Sequence, residues 1–157
     1  MKIVISCEFA GLPLKTVVLE YLKEKGHDVL DVGQKTPDEK ILYPQAAAAL
    51  AKVIQTGDYE KGILICGTGA GVSIVANKFK GVYAVACESI FTAQGIPIIN
   101  NANVLVMGNN VVGSKNAFAM VDKFLANSFA QGESQERKVF LNGMLDDVKK
   151  IEDENFK

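Results

Sequence analysis

The sequence is poor in the residues that most often carry metal or redox chemistry. It has no tryptophan, one histidine (His27) and three cysteines, Cys7, Cys66 and Cys87. The cysteines are too few and too far apart for a disulfide framework, and no Cys-x-x-Cys pair points to a zinc or dithiol redox site. We therefore expect three free thiols, and we expect His27, in a turn before a strand, to be a surface residue.

The chain also lacks a charge excess and a long apolar run. Its 17 Lys and Arg residues balance 18 Asp and Glu residues, so the net charge of −1 gives no electrostatic reason to bind nucleic acid or an anionic membrane. No apolar stretch approaches the roughly 18 residues of a membrane span, and no signal-peptide pattern precedes the first strand. We expect a cytoplasmic protein without nucleic-acid or membrane partners.

Short apolar runs alternate with segments of helical periodicity along the 157 residues, a length that suits one domain, 1–157. The runs are too continuously apolar for half-exposed strands, which favours a parallel sheet with helices on both faces. We predict a doubly wound α/β fold with strand order 2-1-3-4-5. The predicted strands are 2–6, 28–33, 62–66, 82–87 and 103–108, and the predicted helices are 12–25, 44–55, one ending at 78, 89–94 and 114–129.

A C-terminal helical extension, about 133–156, follows the last predicted strand. It carries apolar residues at helical spacing among many charges, and no further strand follows to cover them. Such a helix lies on its own sheet or reaches a partner subunit, and we favour the partner.

The predicted third strand ends at Cys66 and runs into Gly67, Gly69 and Gly71 before a helix. Parallel sheets bind ligands at the carboxyl ends of their strands, and alternating glycines let amides point at an anion there. A cysteine at such a place is most often an apolar filler. Beside a helix start, however, its thiolate is stabilised, as a base or nucleophile requires.

A family resemblance covers most of the chain. The segments are "CGTGAGVSIVANKFKGVYAVAC" (66–87), "NNANVLVMGNNVVG" (100–113), "AGLPLK" (10–15), "KGHDVLDVG" (25–33) and Tyr43-Pro44. Together they resemble the ribose-5-phosphate isomerase B and galactose-6-phosphate isomerase family. The resemblance implies a Rossmann-like protomer in a homodimer or dimer of dimers, with sites at the interface and neither metal nor cofactor. The implied reaction is aldose–ketose isomerisation of a sugar phosphate through a cis-enediol.

The resemblance also implies roles for individual residues. Cys66 matches the family's catalytic base and Thr68 a hydroxyl acting at the ring oxygen. The loop that holds the enediolate oxygen corresponds to Gly67, Gly69, Ala70 and Gly71. Further matches are Tyr43 bordering the site, Asn100 on sugar hydroxyls, and Arg137 and Lys138 in a phosphate-binding cluster that reaches the partner's site. Arg137, the one arginine, has a second interpretation as a solvated residue paired with Glu133 or Glu136.

Two family histidines are absent from this chain. Cys7-Glu8-Phe9 stands after the first strand where the family has Ser-Asp-His, and Ile99 replaces the ring-opening histidine before Asn100. Glu8 either contacts substrate hydroxyls and carries protons or is a solvated carboxylate. The absences leave three hypotheses: an active ribose-5-phosphate-type isomerase, a galactose-6-phosphate-type subunit, or a non-catalytic sugar-phosphate-binding paralogue.

Overall fold

A five-stranded sheet organises residues 1–156, the part of the chain that the computed structural model describes. Its strands are β1 (Lys2–Cys7), β2 (Asp28–Asp31), β3 (Lys61–Cys66), β4 (Ala84–Ala86) and β5 (Val104–Gly108). The helices are α1 (Leu12–Glu24), α2 (Tyr43–Gln55), α3 (Ala70–Ala76), α4 (Ile90–Asn100), α5 (Ser114–Leu125) and α6 (Gln135–Asn155). Lys157, the last residue of the predicted domain, lies outside the described residues.

Every strand pair in the sheet is parallel, and each face of the sheet is covered by helices. One core contains Ile3, Ile5 and residues of α1, α4 and α5. The other contains Val4 and residues of α2 and α3, because successive side chains of a strand point to opposite faces. This confirms the predicted Rossmann-like doubly wound α/β fold. No helix within residues 1–156 is long and apolar enough to cross a bilayer.

The predicted strand order is wrong at one edge of the sheet. The observed order is β2-β1-β3-β5-β4, so β5 lies beside β3 and β4 is the edge strand. The physical reason is burial: all five residues of β5 are buried, whereas the three residues of β4 range from buried to exposed. The swap places Gly108 opposite Cys66, so the loop that follows β5 borders the loop after β3.

Helix α4 is longer than the segment 89–94 that the sequence predicts. Gly95 and Pro97 suggest an early end, but the helix continues to Asn100. It does so because Ala93, Ile96 and Pro97 form one buried face that packs into the core. Helix α5, in contrast, ends at Leu125, before the predicted 129.

The C-terminal helix α6 contacts its own chain at both ends. Leu141 is fully buried, and the Glu152 carboxylate accepts hydrogen bonds from the Gly81 amide at 2.6 Å and the Tyr83 hydroxyl at 3.1 Å. Burial, followed by the Glu152 charge, raises the pKa of Tyr83 to about 12, so its hydroxyl remains a donor. The helix leaves an apolar stripe exposed, consisting of Phe140, Met144, Val148 and Ile151. That α6 also reaches a partner stays a prediction.

A buried ion pair fixes α1 to the end of β2. The Lys15 ammonium lies 2.6 Å from the Asp31 carboxylate, and the two side chains are 3% and 16% exposed. Asp31 also accepts a hydrogen bond from the Gly33 amide at 3.0 Å. Both contacts occupy the carboxylate within the fold, which gives it a structural role.

Replacing Asp31 with alanine should therefore destabilise the protein. Lys15 would stay buried without a counter-charge, and the free energy of unfolding should fall by about 3 kcal/mol, measured by urea denaturation. The matched control is Asp153→Ala, which removes an ion pair to Lys80 whose side chains are 50% and 66% exposed. The control should leave the unfolding midpoint unchanged, and equal losses in both variants would contradict the structural role of Asp31.

Candidate active site

A cleft of about 360 Å³ opens at the carboxyl ends of β1 and β3. It brings together six of the residues that the sequence nominates: Glu8, Tyr43, Cys66, Gly67, Thr68 and Gly71. Phe9, Ala10 and Leu42 complete the lining, and sequence reasoning did not assign them to the site. Their positions next to Glu8 and Tyr43 in the sequence could have indicated that they line the cleft.

Cys66 ends β3 with its thiol facing the glycine loop. The residue is 5% exposed, and its Sγ accepts a hydrogen bond from the Gly69 amide at 3.0 Å. Gly69 has a φ of 89°, a left-handed conformation that turns the loop back towards the sulfur and favours glycine. A hydrogen bond donated to the sulfur stabilises negative charge on it, as a proton-abstracting thiolate requires.

Glu8 is buried beside this loop, which argues against the interpretation as a solvated carboxylate. It follows β1, the neighbour of β3, and is 5% exposed. Its Oε1 accepts a hydrogen bond from the Gly67 amide at 3.1 Å. In this arrangement the amides of Gly67 and Gly69 donate to two side chains of the protein, the Glu8 carboxylate and the Cys66 thiol.

The cleft wall that ends at Tyr43 depends on a buried glutamine. Gln34 is 1% exposed; its side chain donates to the Thr36 carbonyl at 3.0 Å and accepts from the Ile41 amide at 3.1 Å. These bonds fix the segment that ends at Tyr43, whose ring lies 3.0 Å from where a Cβ on Gly71 would stand. The sequence does not indicate that Gln34 supports the site, because this role depends on contacts that form only when the loop is folded.

Cys7 and Cys66 end neighbouring strands but cannot pair. Cys7 belongs to the core on one face of the sheet and Cys66 to the core on the other. All three cysteines are free. Burial raises the pKa of Cys7 to about 12 and that of Cys87 to about 11, so these two remain thiols at physiological pH.

Alkylation should therefore select Cys66 in the folded protein. With iodoacetamide at pH 8, we expect Cys66 to be modified at least about tenfold faster than Cys7 or Cys87, because only thiolates react. Peptide mass spectrometry at timed intervals measures each rate, and unfolding in urea should make the three rates equal. Faster labelling of Cys7 than of Cys66 in the folded protein would contradict the assignment.

Asn100 does not join the cleft within one chain. Helix α4 starts after the carboxyl end of β4. It runs back along 11 residues, about 16 Å, to the side of the sheet where the amino ends of the strands lie. There the carbonyl of nearby Asn103 accepts a hydrogen bond from the Gly62 amide at the start of β3. Asn100 and Ile99 line a separate, largely apolar groove of about 370 Å³ with Phe91 and Glu133.

Arg137 and Lys138 also lie away from the cleft, in the first turn of α6. The Arg137 guanidinium stacks over the Phe140 ring, 5.1 Å from its centroid, and lines a hollow with Ser134 and Glu136. The salt bridges among the described residues do not include Arg137, so pairing with Glu133 or Glu136 finds no support. Lys138 is half-buried.

His27 lies just before β2, at the edge of the sheet opposite the cleft, where sequence reasoning places it. Partial burial lowers its pKa below the usual range for histidine. Within residues 1–156, His, Cys, Asp and Glu side chains nowhere gather in threes as a bound metal ion requires.

Comparisons with known proteins identify the family of this chain. Residues 3–140 match the family model described as Ribose/Galactose Isomerase. A 4-deoxy-4-sulfo-D-erythrose isomerase from Clostridium sp. (strain MSTE9) is 40% identical, covering 98% of this chain and 96% of that protein. Ribose-5-phosphate isomerase B from Escherichia coli (strain K12) is 40% identical over 87% of this chain and 91% of its own. The crystal structure of ribose-5-phosphate isomerase B from Mycoplasma genitalium with bound ribulose-5-phosphate superposes with a TM-score of 0.86 at 36% identity, covering 98% of this chain and 97% of that one.

Proposed function

The chain belongs to the ribose/galactose isomerase family, and from this premise we propose how its cleft interconverts the aldose and ketose forms of a phosphorylated sugar. The observation that carries the mechanism is the Cys66 thiol, which accepts a hydrogen bond from the glycine loop, while the buried Glu8 carboxylate accepts one from the same loop and lines the same cleft. Cys66 takes the proton from one of carbons C1 and C2 and returns it to the other through a cis-enediol.

The remaining cleft residues hold the substrate around that proton transfer. Glu8 contacts the hydroxyls on C1 and C2 and relays a proton between their oxygens. In the loop of Gly67, Gly69, Ala70 and Gly71, the amides of Gly67 and Gly69 already donate to Glu8 and Cys66, so the amides at the start of α3 that have no partner within the helix stabilise the negative charge of the enediolate. Thr68 adds a hydroxyl donor. Tyr43 closes one wall, and its packing against Gly71 keeps the loop and the wall in register.

We further propose that a second copy of the chain completes each site in a homodimer or a dimer of dimers. Asn100 cannot meet Cys66 within one protomer, because Cys66 lies where the strands end and Asn100 lies where they begin. Supplied by a partner, Asn100 would bind sugar hydroxyls, and Arg137 and Lys138 would bind the anionic group. The exposed apolar stripe of α6 and the groove at Phe91 offer the contact area.

Three further features complete the proposal. The chain acts as a single domain, 1–157, without metal or cofactor. Its three reduced cysteines suit the reducing cytoplasm. Its relatives include a ribose-5-phosphate isomerase and a 4-deoxy-4-sulfo-D-erythrose isomerase, which supports a short sugar with a terminal anion as substrate.

The test of the function is hydrogen exchange at the reacting carbon. The purified protein is incubated in deuterated water with four-, five- and six-carbon aldose and ketose phosphates, and deuterium at C1 or C2 is followed by NMR. We expect incorporation that depends on Cys66 and persists in the control Cys87→Ala. Failure to label any sugar, with the protein folded, would favour the sugar-phosphate-binding paralogue.

A further inference from the structure

The cleft offers few groups for proton transfer. Its ionisable side chains, among the described lining residues, are Glu8, Tyr43 and Cys66. Tyr43 and Thr68 add hydroxyls, and within residues 1–156 neither hydroxyl hydrogen-bonds to a carboxylate or a cation that would tune it for proton transfer. The single histidine of the chain, His27, lies at the other edge of the sheet.

A second copy of the chain does not add a histidine to the proton-transfer groups of the cleft. The groove that carries Asn100 has one ionisable side chain among its described lining residues, Glu133. The residue before Asn100 is Ile99, which is 40% exposed and apolar. The surface that would close over the sugar therefore offers hydrogen bonds, apolar contact and, at Arg137 and Lys138, cations for the anionic group, but no histidine.

The isomerisation by itself occupies the groups that are present. The Cys66 thiolate takes the C2 proton of the aldose, and the electron pair forms the C1=C2 bond with the negative charge on O1. Glu8 relays the O2 proton to O1, after which C1 takes the proton back from Cys66 as the C2 carbonyl forms. Protons and electrons balance, and both groups return to their starting states.

Opening a cyclic sugar requires a further pair of groups. One must remove the proton from the anomeric hydroxyl while another protonates the ring oxygen. Glu8 can accept the first proton. The Cys66 thiolate that abstracts the carbon proton carries no proton to deliver, and among the described residues the hydroxyls of Tyr43 and Thr68 have no carboxylate or cation hydrogen-bonded to them that would promote proton donation to the ring oxygen. The site therefore has the groups that the enediol chemistry needs, but not the acid that ring opening needs.

We propose, on the premise of the isomerase function above, that the site takes its sugar only in the open-chain form and serves four-carbon aldoses and ketoses that carry a phosphate ester or a sulfonate at C4. An aldose closes to a furanose through its C4 hydroxyl. A four-carbon aldose whose C4 position is esterified or sulfonated has no such hydroxyl, so both members of the pair stay acyclic. A five-carbon aldose 5-phosphate keeps its C4 hydroxyl and is mostly cyclic.

The test compares initial rates in the aldose-to-ketose direction at rising enzyme concentration. The probes are D-erythrose 4-phosphate, its 4-deoxy-4-sulfo analogue and D-ribose 5-phosphate. We expect the rate with at least one four-carbon sugar to rise in proportion to enzyme concentration. The four-carbon sugar with the higher kcat/KM shows whether the site prefers a phosphate ester or a sulfonate. The rate with D-ribose 5-phosphate should reach a plateau set by uncatalysed ring opening. Its kcat/KM should be about tenfold lower or more, because only the open-chain fraction binds.

A second measurement isolates the ring from the isomerisation. Cys66→Ala removes the carbon base but leaves Glu8, Thr68 and Tyr43 in place, so any ring-opening capacity would survive in it. We expect neither this variant nor the wild type to accelerate the interconversion of the two furanose anomers of D-ribose 5-phosphate, followed by NMR exchange.

The outcomes separate this proposal from the function that it builds on. Accelerated anomer exchange, a D-ribose 5-phosphate rate proportional to enzyme over the whole range, or turnover of five-carbon but not four-carbon sugars would each overturn the open-chain assignment while leaving the isomerase intact. Absence of Cys66-dependent turnover with every sugar, ketoses included, would overturn the isomerase function itself.

Discussion

Replacing Cys66 with alanine should lower kcat for the preferred sugar by about 10²- to 10⁴-fold, the usual contribution of a positioned base. The alanine removes the sulfur that receives the Gly69 hydrogen bond and leaves Glu8 in place. KM should change little, because the thiol acts on a carbon-bound proton and the substrate's polar groups are held by other residues. Steady-state kinetics and deuterium exchange at C2 measure the two quantities.

The control for this variant is Cys87→Ala, which removes an equally buried thiol outside the cleft. It should keep wild-type kcat, and urea denaturation of both variants shows whether either loss comes from unfolding. A folded Cys66→Ala protein with wild-type kcat would contradict the assignment of Cys66 as the base.

Two inactive variants should restore activity when they are combined in one dimer. If Asn100 of one protomer completes the Cys66 cleft of its partner, a heterodimer of Cys66→Ala and Asn100→Ala chains contains one intact site and one doubly altered site. Co-expression with two different tags and tandem purification should yield about half of the wild-type activity per dimer, since one of two sites is complete. Each homodimeric variant alone should have little activity.

The matched control places both substitutions on one chain. Paired with a wild-type chain, this double variant should be almost inactive when sites are shared between protomers, because each site then carries one substitution. If sites were contained within one protomer, the same heterodimer would retain about half of the activity and the mixed single variants would retain little. That pattern would contradict the shared site.

Much of the site's chemistry could be predicted from local sequence. A strand that ends in Cys66 and enters Gly67–Gly71 indicates a thiol beside backbone amides, since the carboxyl end of a parallel strand faces ligands. Glu8 follows from the same rule, applied to β1. What local sequence does not contain is the pairing of distant segments. The Glu8 carboxylate accepts a hydrogen bond from the Gly67 amide, 59 residues further along the chain, and the Gln34 backbone amide donates to the carbonyl of Cys7, 27 residues earlier.

The sequence by itself determined the alternation of strands and helices, the parallel sheet and the edge at which Cys66 and Glu8 meet, because hydrophobic periodicity and strand direction are local properties. Only the tertiary structure decided that β5 lies between β3 and β4, because the order of the last two strands depends on which of them the packed helices bury. It also decided that Cys7 and Cys66 face opposite cores, and that Asn100 and Arg137 stand apart from the cleft. The orientation of the two cysteines follows from the register of β1 against β3, which pairs Cys7 with Ile65. The positions of Asn100 and Arg137 follow from the directions in which α4 and α6 pack, and contacts across the whole molecule settle both.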